Sequence, residues 1–483
     1  MRRRTSLTLA LALLLAGEGA AQQDAAGTRL AQPASDRALR EWAHSIGVLG
    51  YVYGAPLLEL AIAEYRQTHG IARDMSGPRG VIAHGMGGRL PTHETTWLAT
   101  PNPDVLHSSA WLDVEQQPYV LWIPPMDGHW YSVQLEDSFT NDVAYLSSRT
   151  VGSVGGWYLI AHESWAGERP PSVMDEIRIP TPIAWLLLRI AATEENAADF
   201  HARYQAQFKL MPLAVYARNP KAAALAGSQP QASPKPPVRA TNENRGTLEA
   251  FRVIQQRLRQ IGPRPGEEAL LALFDRAGFG PNVEFDPARL PSPLVEGLRG
   301  AARDAHKTIH ELRESPRGAR NGWSPAPALL GAYGDDYLLR ATSASSGIGA
   351  SLPAEIASLE ASADNDGRQL DGRNDYRIRF EADDLPPSDA FWSIAAYAAE
   401  SRLLLGTHTG RYAIGSRTKG LQRQPSGALE LFLSSAAPDD PARRANWLPV
   451  RAGPLLLVAR IYQPLPAVLE GRYAMPPVVS ADD

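Results

Sequence analysis

The stretch from Thr100 to Asp113, TPNPDVLHSSAWLD, carries an amide, a carboxylate, an imidazole and two hydroxyls in a turn-forming run that leads straight into an apolar strand. These residue types support two kinds of chemistry. A carboxylate that orients an imidazole makes a general base, so Asp104 and His107 form a candidate catalytic pair for a hydrolase- or lyase-like site, provided their side chains reach one another or one shared point. Amides bind substrate oxygens, which makes Asn102 and Asn141 candidate ligand contacts. The polar concentration runs on from 84 to 141 and includes His84, His93, Glu94, Ser108, Asp137 and Thr140. Of the 11 tryptophans, Trp97, Trp111, Trp122, Trp130, Trp157 and Trp165 fall in or beside the same region. An aromatic wall that includes Trp130 suits a small polar or saccharide-like ligand, because ring faces bury C–H surface while amides and carboxylates bond hydroxyls.

Two other readings stand beside this one. The tryptophans can be core and the polar groups loop ties, since Asn and Asp favour turns by bonding their own backbone. His84, His93, Glu94 and His107 can also gather a metal, but their spacing matches no established ligand pattern, so no metal ligand is assigned and the cofactor is left unknown. His306 and His310 stand four apart without the glutamate of a zinc-protease helix, and an exposed helical face accounts for them better. Ser153 in VGSVG has Val151 where a nucleophile elbow needs glycine. GIGASL, residues 347–352, ends in leucine where a dinucleotide loop needs its third glycine.

These groups need elements to hold them. Between 95 and 190, short apolar runs alternate with Pro, Gly, Asp and Asn, and in HWYSVQLEDSF the residues Tyr131, Val133 and Leu135 alternate with Ser132, Gln134 and Glu136. That period of two predicts a strand with one buried face, and many such strands at close spacing predict a sandwich or barrel. From Glu41 a helix is expected that breaks at Gly54-Ala55-Pro56 and resumes. Residues 191 to 320 switch to helical spacing, with Leu248, Phe251, Ile254, Leu258 and Ile261 making an apolar stripe. Strand texture returns at Tyr376, with Ile378 and Phe380, then Leu429, Leu431 and Leu433, then Leu455, Leu457, Ala459 and Ile461 each on one face.

The opening MRRRTSLTLALALLLAGEGAAQQ has three arginines, an apolar core from Leu7 to Ala16 and small residues at Gly19 and Ala21, the pattern of a secretory signal cleaved after Ala21. That core is too short to span a bilayer, which needs about 20 residues. The expected location is periplasmic or secreted, with no membrane insertion after cleavage. Removing Arg2, Arg3, Arg4 and Glu18 moves the formal charge from −4 to −6, that is −4 − 3 + 1, with both signs interspersed, so nothing steers the chain toward nucleic acid. With 0 cysteines, an exported chain of this size relies on core burial rather than disulfides.

The strings themselves carry a resemblance. PNPDVLHSSAWLD, the P-x-V-L-x-I-P strand and WYSVQLEDSFTNDVAYLSSRT resemble the bacterial domain of unknown function catalogued as 1254. LDGRNDYRIRFEADDLPPSDAFWSIAAY, GRYAIGSR, ANWLPV and GPLLLVARIYQPLPAVLEGRYAMPPV resemble its usual companion, catalogued as 1214. The resemblance implies two jelly-roll-like antiparallel β domains joined by helical segments, and no agreed reaction. It gives weight to Asn102 and Asp104, which match the family's P-N-x-D, and to Trp392, Arg411, Tyr412, Asn446 and Trp447, which match its C-terminal strings. Relatives read D-T-L-Y where this chain has Asp104-Val105-Leu106-His107, which replaces a phenol by an imidazole, and often carry asparagine where it has Gly406-Thr407.

The expected architecture is therefore mainly β with helical segments: a signal at 1–21, a flexible leader at 22–40, an N-terminal β domain with a leading helix at 41–190, a helical connector at 191–340 and a C-terminal β domain at 341–483. The expected function is binding of a small polar ligand in the N-terminal β domain, with substrate contacts from Asn102, Trp130, Asn141, Arg411, Tyr412, Asn446 and Trp447. The alternative is a non-catalytic binding or envelope-assembly module.

Overall fold

The computed structural model describes residues 34–72, 75–96, 100–220, 237–262, 264–313 and 318–481. The expected signal, most of the leader and Trp97 lie outside these residues. The last part of the expected leader, from Ala34, already belongs to helix α1 (Ala34–Thr68).

α1 does not break at Gly54-Ala55-Pro56. It runs through, because its glycines serve packing rather than termination. A Cβ on Gly47 would sit 2.7 Å from Ala301, one on Gly50 2.4 Å from the Phe279 ring, and one on Gly54 2.5 Å from Ile254. Glycines spaced by three and four residues therefore form a smooth stripe against which the Leu248–Ile261 and Ser292–Arg313 helices close up. Pro56 removes one backbone donor, a loss that the surrounding packing tolerates. By length and composition α1 would suffice to cross a membrane, but 67% of its most apolar window is buried; this helix is the centre of a helical core built with Phe251, Ile254, Phe274, Leu298 and Ala302.

The nine N-terminal strands are β1 (Ala83–His84), β2 (Val105–Asp113), β3 (Tyr119–Ile123), β4 (Tyr131–Glu136), β5 (Asp142–Ser147), β6 (Gly156–His162), β7 (Asp175–Ile179), β8 (Ile183–Ala191) and β9 (Lys209–Pro212). They form a five-stranded sheet of order β1-β2-β8-β4-β5 and a four-stranded sheet of order β7-β6-β3-β9. Because β9 pairs with β3, this sandwich extends to Pro212, past the switch to helical texture at 191. The short helices Ala197–Arg203 and Leu213–Arg218 and the 3-10 turn Gln205–Gln207 flank that strand.

The C-terminal strands are β10 (Ser324–Pro325), β11 (Ile356–Ala361), β12 (Tyr376–Phe380), β13 (Ser388–Ala398), β14 (Ala413–Gly415), β15 (Leu429–Ser434), β16 (Trp447–Pro449), β17 (Leu455–Pro464) and β18 (Val479–Ser480). Their sheets have the orders β10-β11-β17-β13-β14 and β16-β15-β12-β18. Each strand of the first sandwich thus has a counterpart nine strands later in the second. The match extends to the one parallel pair of each sandwich, β6 with β7 and β15 with β16. The two β domains are one topology used twice, and the sheets are open. Inside them lie the faces read from the sequence, with Val133, Leu186 and Ile190 in the first core and Ile378, Leu431, Leu457 and Ile461 in the second.

One expectation about faces changes. β4 is buried on both sides, not one. The outer faces of the two five-stranded sheets are covered: the first by α1, through Leu60, Trp111 and Trp185, and both by each other, through Val105, Trp130 and Ala191 against Ile356, Phe391 and Tyr462.

Candidate functional site

A cavity of about 470 Å³ lies between the two sandwiches. Its walls come from the outer faces of β8, β11 and β17, one side of α1, and the loop after the Tyr337–Ser346 helix. Side chains alternate along a strand, so the residues that reach it are every second one: Trp185, Leu187 and Arg189 of β8, and Val458 and Arg460 of β17. Gly349 must be glycine. It has φ +80, and a Cβ there would lie 2.8 Å from Leu187. The GIGASL string that falls short of a dinucleotide loop is the wall of this cavity.

The two arginines occupy equivalent places. On the first sheet Arg189 stands between His107 of β2 and Ser132 of β4, and on the second Arg460 stands between Ser358 of β11 and Ser393 of β13. Arg189 donates to Gln134 Oε1 at 2.6 Å and to the Gly349 carbonyl. Arg460 donates to the Tyr397 hydroxyl at 2.9 Å and to the Thr100 carbonyl at 3.4 Å. Among the described residues neither forms a salt bridge, whereas two other arginines of the lining do: Arg245 with Glu59 at 2.5 Å, and Arg402 with Glu360.

His107 joins them. It is 7% exposed and lines the cavity, and its Nδ1 has no hydrogen-bond partner among the described residues. Burial, then the charges of Arg189 and Arg460, push its pKa down to about 3, so the imidazole is neutral. Behind the wall, Glu136 and Asp142 face each other across β4 and β5, bridged by the Gln134 amide, which donates to Glu136 Oε1 at 2.9 Å and to Asp142 Oδ1 at 2.5 Å. Burial drives both carboxyls upward, Asp142 to about 7 against the opposing bonds from Gln134 and Tyr145, and Glu136 well above the carboxylate range with the Asp142 charge adding to it. Asp142 also accepts from the Leu352 amide at 3.1 Å, and Gln134 donates to the Ala350 carbonyl at 3.1 Å, so this acid pair holds the loop that closes the cavity.

The residues expected from sequence divide between this site and the frame around it. His107 and Asn102 line the cavity; Asp104 does not. The relay from Asp104 to His107 does not form. Asp104 Oδ2 accepts from Ser393 Oγ at 2.5 Å and from the Tyr462 hydroxyl at 3.0 Å, and Oδ1 lies 3.5 Å from Arg417. Asn102 donates to the same Tyr462 hydroxyl at 2.8 Å. The P-N-x-D motif is therefore the clasp by which the first sandwich holds the second. The physical reason is the pleat: residues three apart on an extended chain face opposite ways.

Trp130 packs edge-on to Tyr462 in the same junction, with ring centroids 5.0 Å apart. Asn141 is a loop tie, donating to Asp137 at 2.8 Å. Arg411 donates to the Trp447 carbonyl at 2.8 Å, Trp447 donates to Ser434, and Asn446 donates to Gln422 and Glu430, all within the second sandwich. Tyr412 meets His93 at 2.7 Å. His84 bonds Ser108 at 2.9 Å, and Glu94 is exposed, so the suggested metal set is dispersed. His306 packs edge-on to Tyr51, while His310 bonds Arg313.

Sequence reasoning passed over Arg189 and Arg460. A signal was present: a single arginine inside each of two otherwise apolar strands, WLLLRIA and LLVARIY.

Paired sandwiches of equal topology enclosing one cavity define the structural class. The chain belongs to the two-domain bacterial family in which the protein of unknown function DUF1254, matched here at residues 83–212, is joined to the protein of unknown function DUF1214, matched at 355–466. Its fold is similar to that of the VPA0106 protein from Vibrio parahaemolyticus, with a TM-score of 0.66 and 22% identity over 91% of this chain and 100% of that one. An uncharacterized protein from Burkholderia cenocepacia is also similar, with a TM-score of 0.45 and 13% identity over 93% and 96% of the two chains. A search of curated proteins returned no match.

Proposed function

We propose that this protein binds a small organic ligand in the cavity between its two β domains, and that His107 supplies a polar contact to it. One observation carries this: a buried imidazole with a nitrogen that has no partner among the described residues lines a cavity of about 470 Å³ between the two sandwiches. An unpaired buried polar atom costs about 1–3 kcal/mol, a penalty that a ligand's hydrogen bond removes. Pockets that hold small molecules combine apolar walls with convergent polar groups, and this lining has both.

Binding is favoured over general-base catalysis. A general base works best with a pKa near the working pH, and an imidazole held near 3 between two arginines is too weak a proton acceptor for that. Without Asp104 behind it, nothing raises its basicity. The expected setting is the periplasm or the exterior, on the strength of the signal-like residues 1–21.

The test is a thermal-shift screen of sugars, alcohols, amides and organic acids on the mature chain. A ligand at 100 times its Kd is expected to stabilise the fold by about 2.7 kcal/mol. Hits are expected to shift the His107 ring resonances and to disappear in Ser358→Phe, which fills the cavity. Hits that survive Ser358→Phe with His107 unmoved would place binding elsewhere and overturn the reading.

A further inference from the structure

The paired arginines say what kind of ligand the cavity takes, an inference that rests on the binding role proposed above. We propose that the cavity is an oxyanion site that receives the acid head of a small organic acid between Arg189 and Arg460, with the apolar body against Trp185, Leu187, Ile356 and Val458.

Three observations lead there. First, each arginine stands on the middle strand of a five-stranded sheet, at the same register position of the repeated topology, so the junction of the domains brings two guanidiniums to one cavity. Second, their bonds go to neutral acceptors only, an amide oxygen, a hydroxyl and backbone carbonyls, while two other arginines of the lining, Arg245 and Arg402, are paired with carboxylates. Buried charge is retained where it is paired; Glu136, Asp142 and Asp104 act on these guanidiniums at a distance, and among the described residues no carboxylate bonds either one directly, which leaves that place to an anion. Third, His107 lines the same cavity within reach of both arginine charges, and as a neutral ring it adds a polar group without a third positive charge.

Arginine forks match planar carboxylates in particular, and such charge-assisted bonds are about twice as strong as neutral ones. The cavity walls contributed by Trp185, Leu187, Ile356, Val458 and Ile62 of α1 leave the remainder of the ligand an apolar environment. A carboxylate and a phosphate share the oxyanion chemistry, and the experiment separates them.

Octanoate, octanamide and octyl phosphate are titrated calorimetrically into the full mature chain. Octanoate is expected to bind at least 10-fold more tightly than octanamide, and Arg189→Gln and Arg460→Gln are each expected to weaken it by about 10-fold or more; octyl phosphate binding more tightly than octanoate would assign the head as phosphate within the same site. Ser358→Asp places a carboxylate opposite Arg460, so it is expected to raise the melting temperature and abolish octanoate binding. This arm reads the charge even if the arginine variants fold poorly. Octanamide binding as tightly as octanoate, and lost in Ser358→Phe, would overturn the anion inference while leaving the cavity's binding role intact. A lowered melting temperature in Ser358→Asp would overturn the inference too. Absence of binding by all three compounds would overturn it together with the binding role.

Discussion

Asp104 and His107 stand three positions apart, and this spacing separates their roles. Asp104 is a clasp residue, held by Ser393, Tyr462 and Arg417 of the second sandwich. Asp104→Asn keeps the shape but loses the charge-assisted bonds, so we expect a loss of about 1–3 kcal/mol in urea unfolding, with the His107 ring resonances unchanged. A loss of only a few tenths would mean that the clasp is not closed in solution. Asp142 offers a test with a pH signature. Its pKa is raised to about 7 in the folded state against 3.8 for the free side chain, so folding takes up a proton between these values. The contribution of this group is therefore most favourable below about pH 4 and is lost as pH rises through about 7. Asp142→Asn keeps the contacts to Tyr145 and removes the titration. The melting temperature of the variant minus that of the wild type is expected to grow from pH 4 to pH 8, and a difference that stays level across that range would show that Asp142 is ionised throughout. At this scale the sequence was half legible. His107 was visible because polar types cluster around it, but which groups share a hollow depends on strand pleat and domain docking, and neither is encoded within fourteen residues.

At the scale of elements, α1 shows how one residue type supports opposite inferences. Glycine in a helix interior costs about 1 kcal/mol relative to alanine, so Gly54 beside Pro56 reads as a break. In the structure the missing side chains let neighbouring helices approach, and packing outweighs propensity. Gly50→Ala is accordingly expected to destabilise by about 1–3 kcal/mol, because its Cβ would lie 2.4 Å from the Phe279 ring. Gly300→Ala is the comparison. Its Cβ would meet only the His44 ring at 3.2 Å, a side chain that is 40% exposed and needs to give by only a few tenths of an ångström beside its 2.9 Å contact with Asp304, so helix propensity should prevail and stability rise by up to about 1 kcal/mol. Chemical denaturation of the two variants decides it: stabilisation by Gly50→Ala would mean that α1 stands further from Phe279 than described. The period-two strands were legible because hydrophobic alternation follows directly from the pleat. The polar face of β4 was legible too, but its destination was not. Ser132, Gln134 and Glu136 looked solvent-facing, and they are buried because a second domain and the 347–352 loop cover them.

At the scale of the whole molecule, the repeat of nine strands is invisible at the level of sequence period, since its two copies share topology without a shared string. The position that marks it most clearly is the arginine in WLLLRIA and in LLVARIY, flanked on the neighbouring strands by the equivalent serines Ser132 and Ser393. The repeat makes the domain junction nearly self-complementary: Val105 corresponds to Ile356, Trp130 to Phe391 and Ala191 to Tyr462. Such a junction ties the sandwiches into one cooperative unit. Phe391 stacks on Tyr462 with centroids 3.9 Å apart and Trp130 meets both rings, so each is an anchor in a desolvated patch. Truncating a buried aromatic costs about 3–5 kcal/mol, and here that cost falls on the contact between domains rather than inside either core. The wild-type chain is expected to unfold in one calorimetric transition. Trp130→Ala combined with Phe391→Ala is expected to split it into two, since each sandwich keeps its own core while losing its hold on the other. If the double variant still melts in a single transition, only at lower temperature, then α1 and its helical core, rather than the facing sheets, are what bind the two halves together and keep Arg189 and Arg460 around one cavity.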